Sequence, residues 1–146
     1  MKLVFYKPIK FQDKLIAWYT KGPYYHAEIE FSDGMRVESS AESNGVSIYT
    51  PKEDNYITVK FNILNANEDK VRKWCEEQMG CKYDWFGVVR FVVPFVKQSS
   101  TRWFCSELIV AALQQIGFFA NVKPHKLSPN DMFKVCANSK NFSLED

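Results

Sequence analysis

The chain has 146 residues, close to the common size of one domain and long enough to bury a hydrophobic core without disulfides or metal. Hydrophobic residues make up 46% and charged residues 25%, ordinary for a soluble globular protein, while the aromatic share is high at 16%. A formal net charge of +2 without a long lysine or arginine run is too weak to argue for nucleic acid or an anionic membrane as partner.

Met1 to Pro8 contain no apolar stretch long enough for a secretion signal, and no segment approaches the length of a transmembrane helix. The expectation is a cytoplasmic protein with no integral membrane association. Without a signal peptide, the four cysteines Cys75, Cys81, Cys105 and Cys136 read as thiols rather than disulfides. Cys75 and Cys81 lack metal-pair spacing, and neither histidine lies near a cysteine in sequence. No metal and no cofactor are therefore expected.

Residues 2–6 are β-favouring and read as a first strand. Phe11, Leu15, Ile16, Trp18 and Tyr19 follow at near-helical spacing, and Gly22-Pro23 ends that segment. Tyr24 to Phe31 alternates, Ser32-Asp33-Gly34 turns, and Met35 to Ser39 returns, which is a hairpin signature. Asn44-Gly45 turns again into Val46 to Tyr49, and Tyr56 to Ile63 alternates as a further strand.

Asn67 then reads as an N-cap, with acids in the first turn and Gly80 as the residue past the helix end. Tyr83 to Val96 is apolar and undecided between short helix and buried loop, and Ser99 to Thr101 reads as a turn. From Ser106 a stripe of Leu108, Ile109, Ala112, Leu113 and Ile116 predicts a helix closed by Gly117. Ser128 as N-cap and Pro129 at the first position open a last short helix. The polar tail from about residue 137 is expected to fray. Strands and helices are segregated, which predicts an α+β fold with an antiparallel sheet packed against helices, in one domain over residues 1–146.

The chemistry centres on Cys105, at the very start of the apolar helix. A thiol there meets the positive end of the helix dipole and unpaired backbone N–H groups, which favour thiolate and can hold an oxyanion. Taken alone, a buried cysteine is the commoner outcome. His26 opens a strand, where it can be held rigidly as a base. Glu28 shares a strand face with His26, and Glu38 lies on the next strand across the Asp33-Gly34 turn, so either carboxylate could orient the imidazole. Glu30 reads as solvent-facing and His125 as a surface residue.

In combination these segments resemble the circularly permuted branch of the NlpC-type papain-like hydrolases, YiiX-like proteins among them, in which the histidine strand precedes the cysteine helix. The resemblance rests on His26-Ala27-Glu28-Ile29, on Glu38 followed by Gly45-Val46, and on Gly80-Cys81-Lys82-Tyr83. It also rests on Phe104-Cys105-Ser106-Glu107-Leu108 and on Leu127-Ser128-Pro129-Asn130-Asp131. It extends to small phage and prophage proteins with a similar strand and helix. It spans about Tyr24 to Asp131, and it departs from the family pattern where Phe104 replaces the usual aspartate before the cysteine.

The resemblance implies a permuted papain-like arrangement with Cys105 as nucleophile, His26 as base, Glu38 as orienting residue and Tyr83 near the oxyanion or substrate carbonyl. The implied activity is a cysteine hydrolase cleaving an amide, in a peptidoglycan stem peptide or another peptide or isopeptide. The alternatives are a non-catalytic phage or host interaction module on the same fold and a thiol-dependent lipid acyltransferase. A phage origin would also allow association with the virion.

Overall fold

The computed structural model describes residues 1–51, 55–62, 65–86 and 101–145. Six strands form one antiparallel sheet in the order β4-β3-β2-β1-β5-β8. They are β1 (Lys2–Tyr6), β2 (His26–Glu30), β3 (Arg36–Ser40), β4 (Gly45–Tyr49), β5 (Tyr56–Phe61) and β8 (Phe142–Glu145). Two short segments, β6 (Lys82–Tyr83) and β7 (Arg102–Trp103), pair in parallel. The helices are α1 (Phe11–Tyr19), α2 (Asn65–Glu77), α3 (Cys105–Gln114) and α4 (Pro129–Ala137). The architecture is α+β, as the segregation of patterns predicts. Ile63 and most of the ambiguous apolar stretch, together with Ser99 and Ser100, lie outside the described residues.

β1 lies inside the sheet, between β2 and β5. That position explains why Leu3, Val4, Phe5 and Tyr6 are all buried instead of alternating. One face of the sheet contributes Leu3, Phe5, Ala27, Ile29, Val37, Val59 and Phe61 to the main core, where α3 adds Leu108, Ile109, Ala112 and Leu113. Residues paired across strands share a face. Alternation therefore sends Tyr6, His26, Glu28, Glu30, Arg36, Glu38 and Tyr49 to the other side.

Three local expectations change. The tail read as frayed pairs along β5 from Thr58↔Glu145 to Phe61↔Phe142. Phe142 stacks on Phe61 with ring centroids 4.3 Å apart, and that contact outweighs the polar character of its neighbours. α2 begins at Asn65, before the expected cap at Asn67. α1 forms where its spacing predicts, but only Ala17 of its residues is buried.

Candidate active site

Phe104 takes the extended N-cap conformation of α3, and its backbone N–H donates to Glu107 Oε2 at 3.1 Å. That bond satisfies an N–H at the helix start and fixes where the first turn begins. Cys105 is the first helical residue and is 1% exposed. The Ser106 hydroxyl donates to the Leu127 carbonyl at 2.7 Å, tying the same turn to the segment before α4. Cys105 belongs to a small buried cluster with Tyr83 and Phe104, apart from the main core.

The β2–β3 ladder is recorded at Ile29↔Val37 and Glu30↔Arg36. Where it ends, Glu38 reaches across to His26, with His26 Nε2 at 3.2 Å from Glu38 Oε2. Glu28 Oε1 lies at 3.2 Å from the same nitrogen. The two carboxylates left open in sequence thus both face one imidazole nitrogen. Cys105 lies near enough to His26 to favour its imidazolium form.

Burial by itself lowers the pKa of His26. The hydrogen bond to Cys105 and those to Glu28 and Glu38 outweigh it, and the imidazole is held well above its ordinary value. Glu38 responds in the opposite sense. Burial pushes its carboxyl up, but the bond to His26 and the imidazolium charge hold it below the usual range, helped by Ser40 and Ser43. Ser40 donates to Glu38 Oε1 at 3.0 Å.

Glu28 is 2% exposed and has partners on both oxygens, as a buried carboxylate requires. Tyr49 donates to its Oε1 at 2.8 Å and Tyr6 to its Oε2 at 3.0 Å. Burial and the Glu28 charge push the Tyr6 hydroxyl up to about 12, so it stays a donor at neutral pH. Behind it, buried Arg36 donates to the Tyr6 oxygen at 2.8 Å and bridges to Glu30 at 2.6 Å. Glu30, read from sequence as solvent-facing, is therefore the counter-ion of a buried arginine.

Tyr83 reaches the site through β6. Burial and then the nearby Cys105 charge raise its pKa, so it too remains a hydrogen-bond donor. Asn130, from the Ser-Pro segment, is 1% exposed and holds the chain just ahead of His26. Its Oδ1 accepts from the Tyr24 backbone N–H at 2.9 Å, and its Nδ2 donates to the Thr20 hydroxyl at 2.6 Å and the Tyr24 carbonyl at 2.7 Å. Sequence flagged that segment by resemblance only. The roles of Tyr6, Tyr49 and Arg36 were not legible, because they follow from cross-strand register.

Cys75 and Cys136 are buried thiols, each pushed up to about 12, Cys136 by burial and Cys75 by burial and then the Glu76 charge. His125 sits half-buried in a 3-10 turn at Pro124–Lys126. His26, Glu28 and Glu38 each offer one ligand atom, and these atoms lie within 4.8 Å of one another. The donor set of one imidazole and two carboxylates suits a divalent ion such as zinc or manganese. Among the described residues, no helix is long and apolar enough to cross a membrane.

No family model matches the sequence. No curated protein matches it significantly. Among solved structures, the chain is similar to the crystal structure of the metalloprotein YiiX from Escherichia coli O157:H7. The two share 14% sequence identity with a TM-score of 0.67, over 99% of this chain and 94% of that one. At that identity the likeness concerns the fold, which is YiiX-like.

Proposed function

We propose that the chain is a thiol-dependent hydrolase of the permuted papain-like, NlpC type, acting on an amide bond of a peptide or peptidoglycan-like substrate. The observation that supports this is His26, met at Nε2 by two carboxylates and near enough to Cys105 for the two to influence each other's charge. His26 takes the Cys105 proton, or already holds it as an imidazolium paired with the thiolate, and the thiolate attacks the amide carbonyl carbon. The Cys105 backbone N–H and the Tyr83 hydroxyl donate to the resulting oxyanion. Collapse breaks the C–N bond, and the amine leaves with the proton from His26. Water, deprotonated by His26, then attacks the thioester, releasing the acid and restoring the thiol. Glu38 and Glu28 hold the imidazole in one orientation and offset its charge.

A second reading is favoured by the three donor atoms within 4.8 Å and by the description of YiiX as a metalloprotein. A divalent ion held by His26, Glu28 and Glu38 would supply Lewis acidity. It would need Nε2 as a lone-pair donor. It would also leave the cluster of Cys105, Tyr83 and Phe104 without a role. The thiol reading is therefore preferred.

The test uses a small electrophile, because Cys105 is 1% exposed. Iodoacetamide at limiting concentration should modify Cys105 ahead of Cys75 and Cys136, and His26→Ala should slow that modification by at least about tenfold. With a cleaved amide substrate, Cys105→Ala should abolish turnover and Cys136→Ala should leave it intact. Labelling of Cys105 at the same rate in wild type and His26→Ala would sink the thiol reading. Stoichiometric divalent metal in the purified protein, lost in Glu28→Gln, would establish the second.

A further inference from the structure

α1 turns its apolar stripe away from the protein. Phe11 is 74% exposed, Leu15 45% and Trp18 73%, with Tyr19 at 42% beside them and Ile9 at 59% just ahead. At about 100° per residue, Phe11, Leu15 and Trp18 fall on one line along the helix. Ala17 and Thr20, on the opposite side, are buried against the body. The stripe is therefore no part of the core, and it is continuous, unlike scattered surface apolar residues.

A collar of cations surrounds it. Lys7, Lys14 and Lys21 are exposed, while Lys10, also exposed, is paired with Glu42. The one acid in that segment, Asp13, is turned to the helix start, where its Oδ2 accepts from the backbone N–H groups of Ile9 and Lys10. The formal net charge of +2 averages over the chain and conceals this local concentration.

We infer that α1 is a peripheral docking element for an anionic lipid surface. Tryptophan and tyrosine with one apolar and one polar end suit the headgroup boundary, and lysines around an apolar helix face add attraction to anionic lipid. A protein partner is the poorer match, because lysine is depleted at protein interfaces. Both ends of the helix are anchored. Lys10 Nζ bridges Glu42 at 2.9 Å in the β3–β4 turn, and Asn130 holds Thr20 and Tyr24. Ser40, the last residue of β3 before that turn, bonds Glu38. Docking would place the candidate site beside the bilayer surface.

Co-sedimentation of the full chain with vesicles tests this, using a phosphatidylglycerol–phosphatidylcholine mixture against phosphatidylcholine alone. Wild type should sediment with the anionic vesicles and not with the neutral ones. Phe11→Ser with Trp18→Ser should lower partitioning at least about tenfold, since apolar burial is lost. Lys14→Gln with Lys21→Gln should lower it by about fivefold per lysine, and salt should mimic that loss. All four positions are exposed, so circular dichroism should report an unchanged fold. Absence of wild-type binding to anionic vesicles overturns the inference, as does binding that the aromatic pair leaves unchanged. Self-association abolished by Phe11→Ser and Trp18→Ser, without vesicle binding, overturns it in favour of a second copy as occupant. Cys105→Ala should bind vesicles like wild type, so membrane docking and thiol chemistry fail separately.

Discussion

His26 binds its proton more tightly than an ordinary histidine because three partners favour the imidazolium. Cys105 is the first of them, ahead of Glu28 and Glu38. Cys105→Ala should therefore lower the pKa of His26, since the partner that most favours its imidazolium disappears. The chain has only two histidines, so an NMR titration of imidazole signals resolves His26 against His125 as internal reference. An unchanged His26 titration in Cys105→Ala would contradict the pairing. The linkage to stability follows the same direction. A raised folded-state pKa stabilises the fold fully below the ordinary histidine value, and the stabilisation fades as pH rises through the raised value. The depressed pKa of Glu38 stabilises above the ordinary carboxylate value, and that contribution fades as pH falls through the depressed one. Together they favour the fold most between the two limits, and Cys105→Ala should draw the upper limit down. Cys105 at a helix start and His26 at a strand start were legible as local features, but only the family resemblance set them together as candidates. The choice between Glu28 and Glu38 was not legible, because strand alternation and hairpin register independently deliver a carboxylate to the same nitrogen. Tyr6 and Tyr49 come from strands 22 and 21 residues away from Glu28, and no local pattern announces such pairs.

Turns and caps explain how the elements hold these residues. Asn44-Gly45 reads as a turn signal, but the glycine is required for a second reason. Gly45 has a φ of 144°, and a Cβ there would overlap the Cys81 carbonyl oxygen. That oxygen accepts from the Val46 backbone N–H at 2.9 Å, and the contact seats the segment that leads into β6 and Tyr83. Gly45→Ala should cost at least about 2 kcal/mol, from backbone strain and displaced packing, measured by urea denaturation. It should also alter the rate of iodoacetamide modification at Cys105 by shifting Tyr83. A loss below about 0.5 kcal/mol would mean that the β4–β6 contact yields easily. α1 shows a different limit. Its periodicity identifies a helix, yet the same spacing describes a buried stripe and an outward one. Only the bodies packed around Ala17 and Thr20 decide between them. The cap at Ser128 was legible and forms as read, with Ser128 Oγ accepting from the Asp131 backbone N–H at 3.1 Å.

The sheet order separates two tasks at the scale of the whole chain. β2 and β3 carry His26, Glu28 and Glu38 toward one end with the Tyr49 hydroxyl on β4, β1 adds the Tyr6 hydroxyl from the middle, and β5 and β8 close the other end. β8 escaped local reading because Phe142-Ser143-Leu144-Glu145 offers only two apolar residues at the end of a polar tail. What makes it a strand is the open edge of β5 and the rings waiting there, Phe61 at 4.3 Å and Phe118 at 5.9 Å from Phe142. Both determinants are non-local. Phe142→Ala should therefore lower stability by roughly 1–3 kcal/mol, less than for a fully buried phenylalanine, because Phe142 is only partly covered. Loss of that anchor should also free the β5 edge and raise the tendency to aggregate on heating. Scanning calorimetry should find a melting temperature lower by several degrees. The rate of Cys105 modification should stay at the wild-type value, since distant sites without shared partners act independently. A melting temperature within a degree of wild type would show that β8 adds nothing to the sheet. A changed Cys105 rate would show that the two ends are coupled through β1.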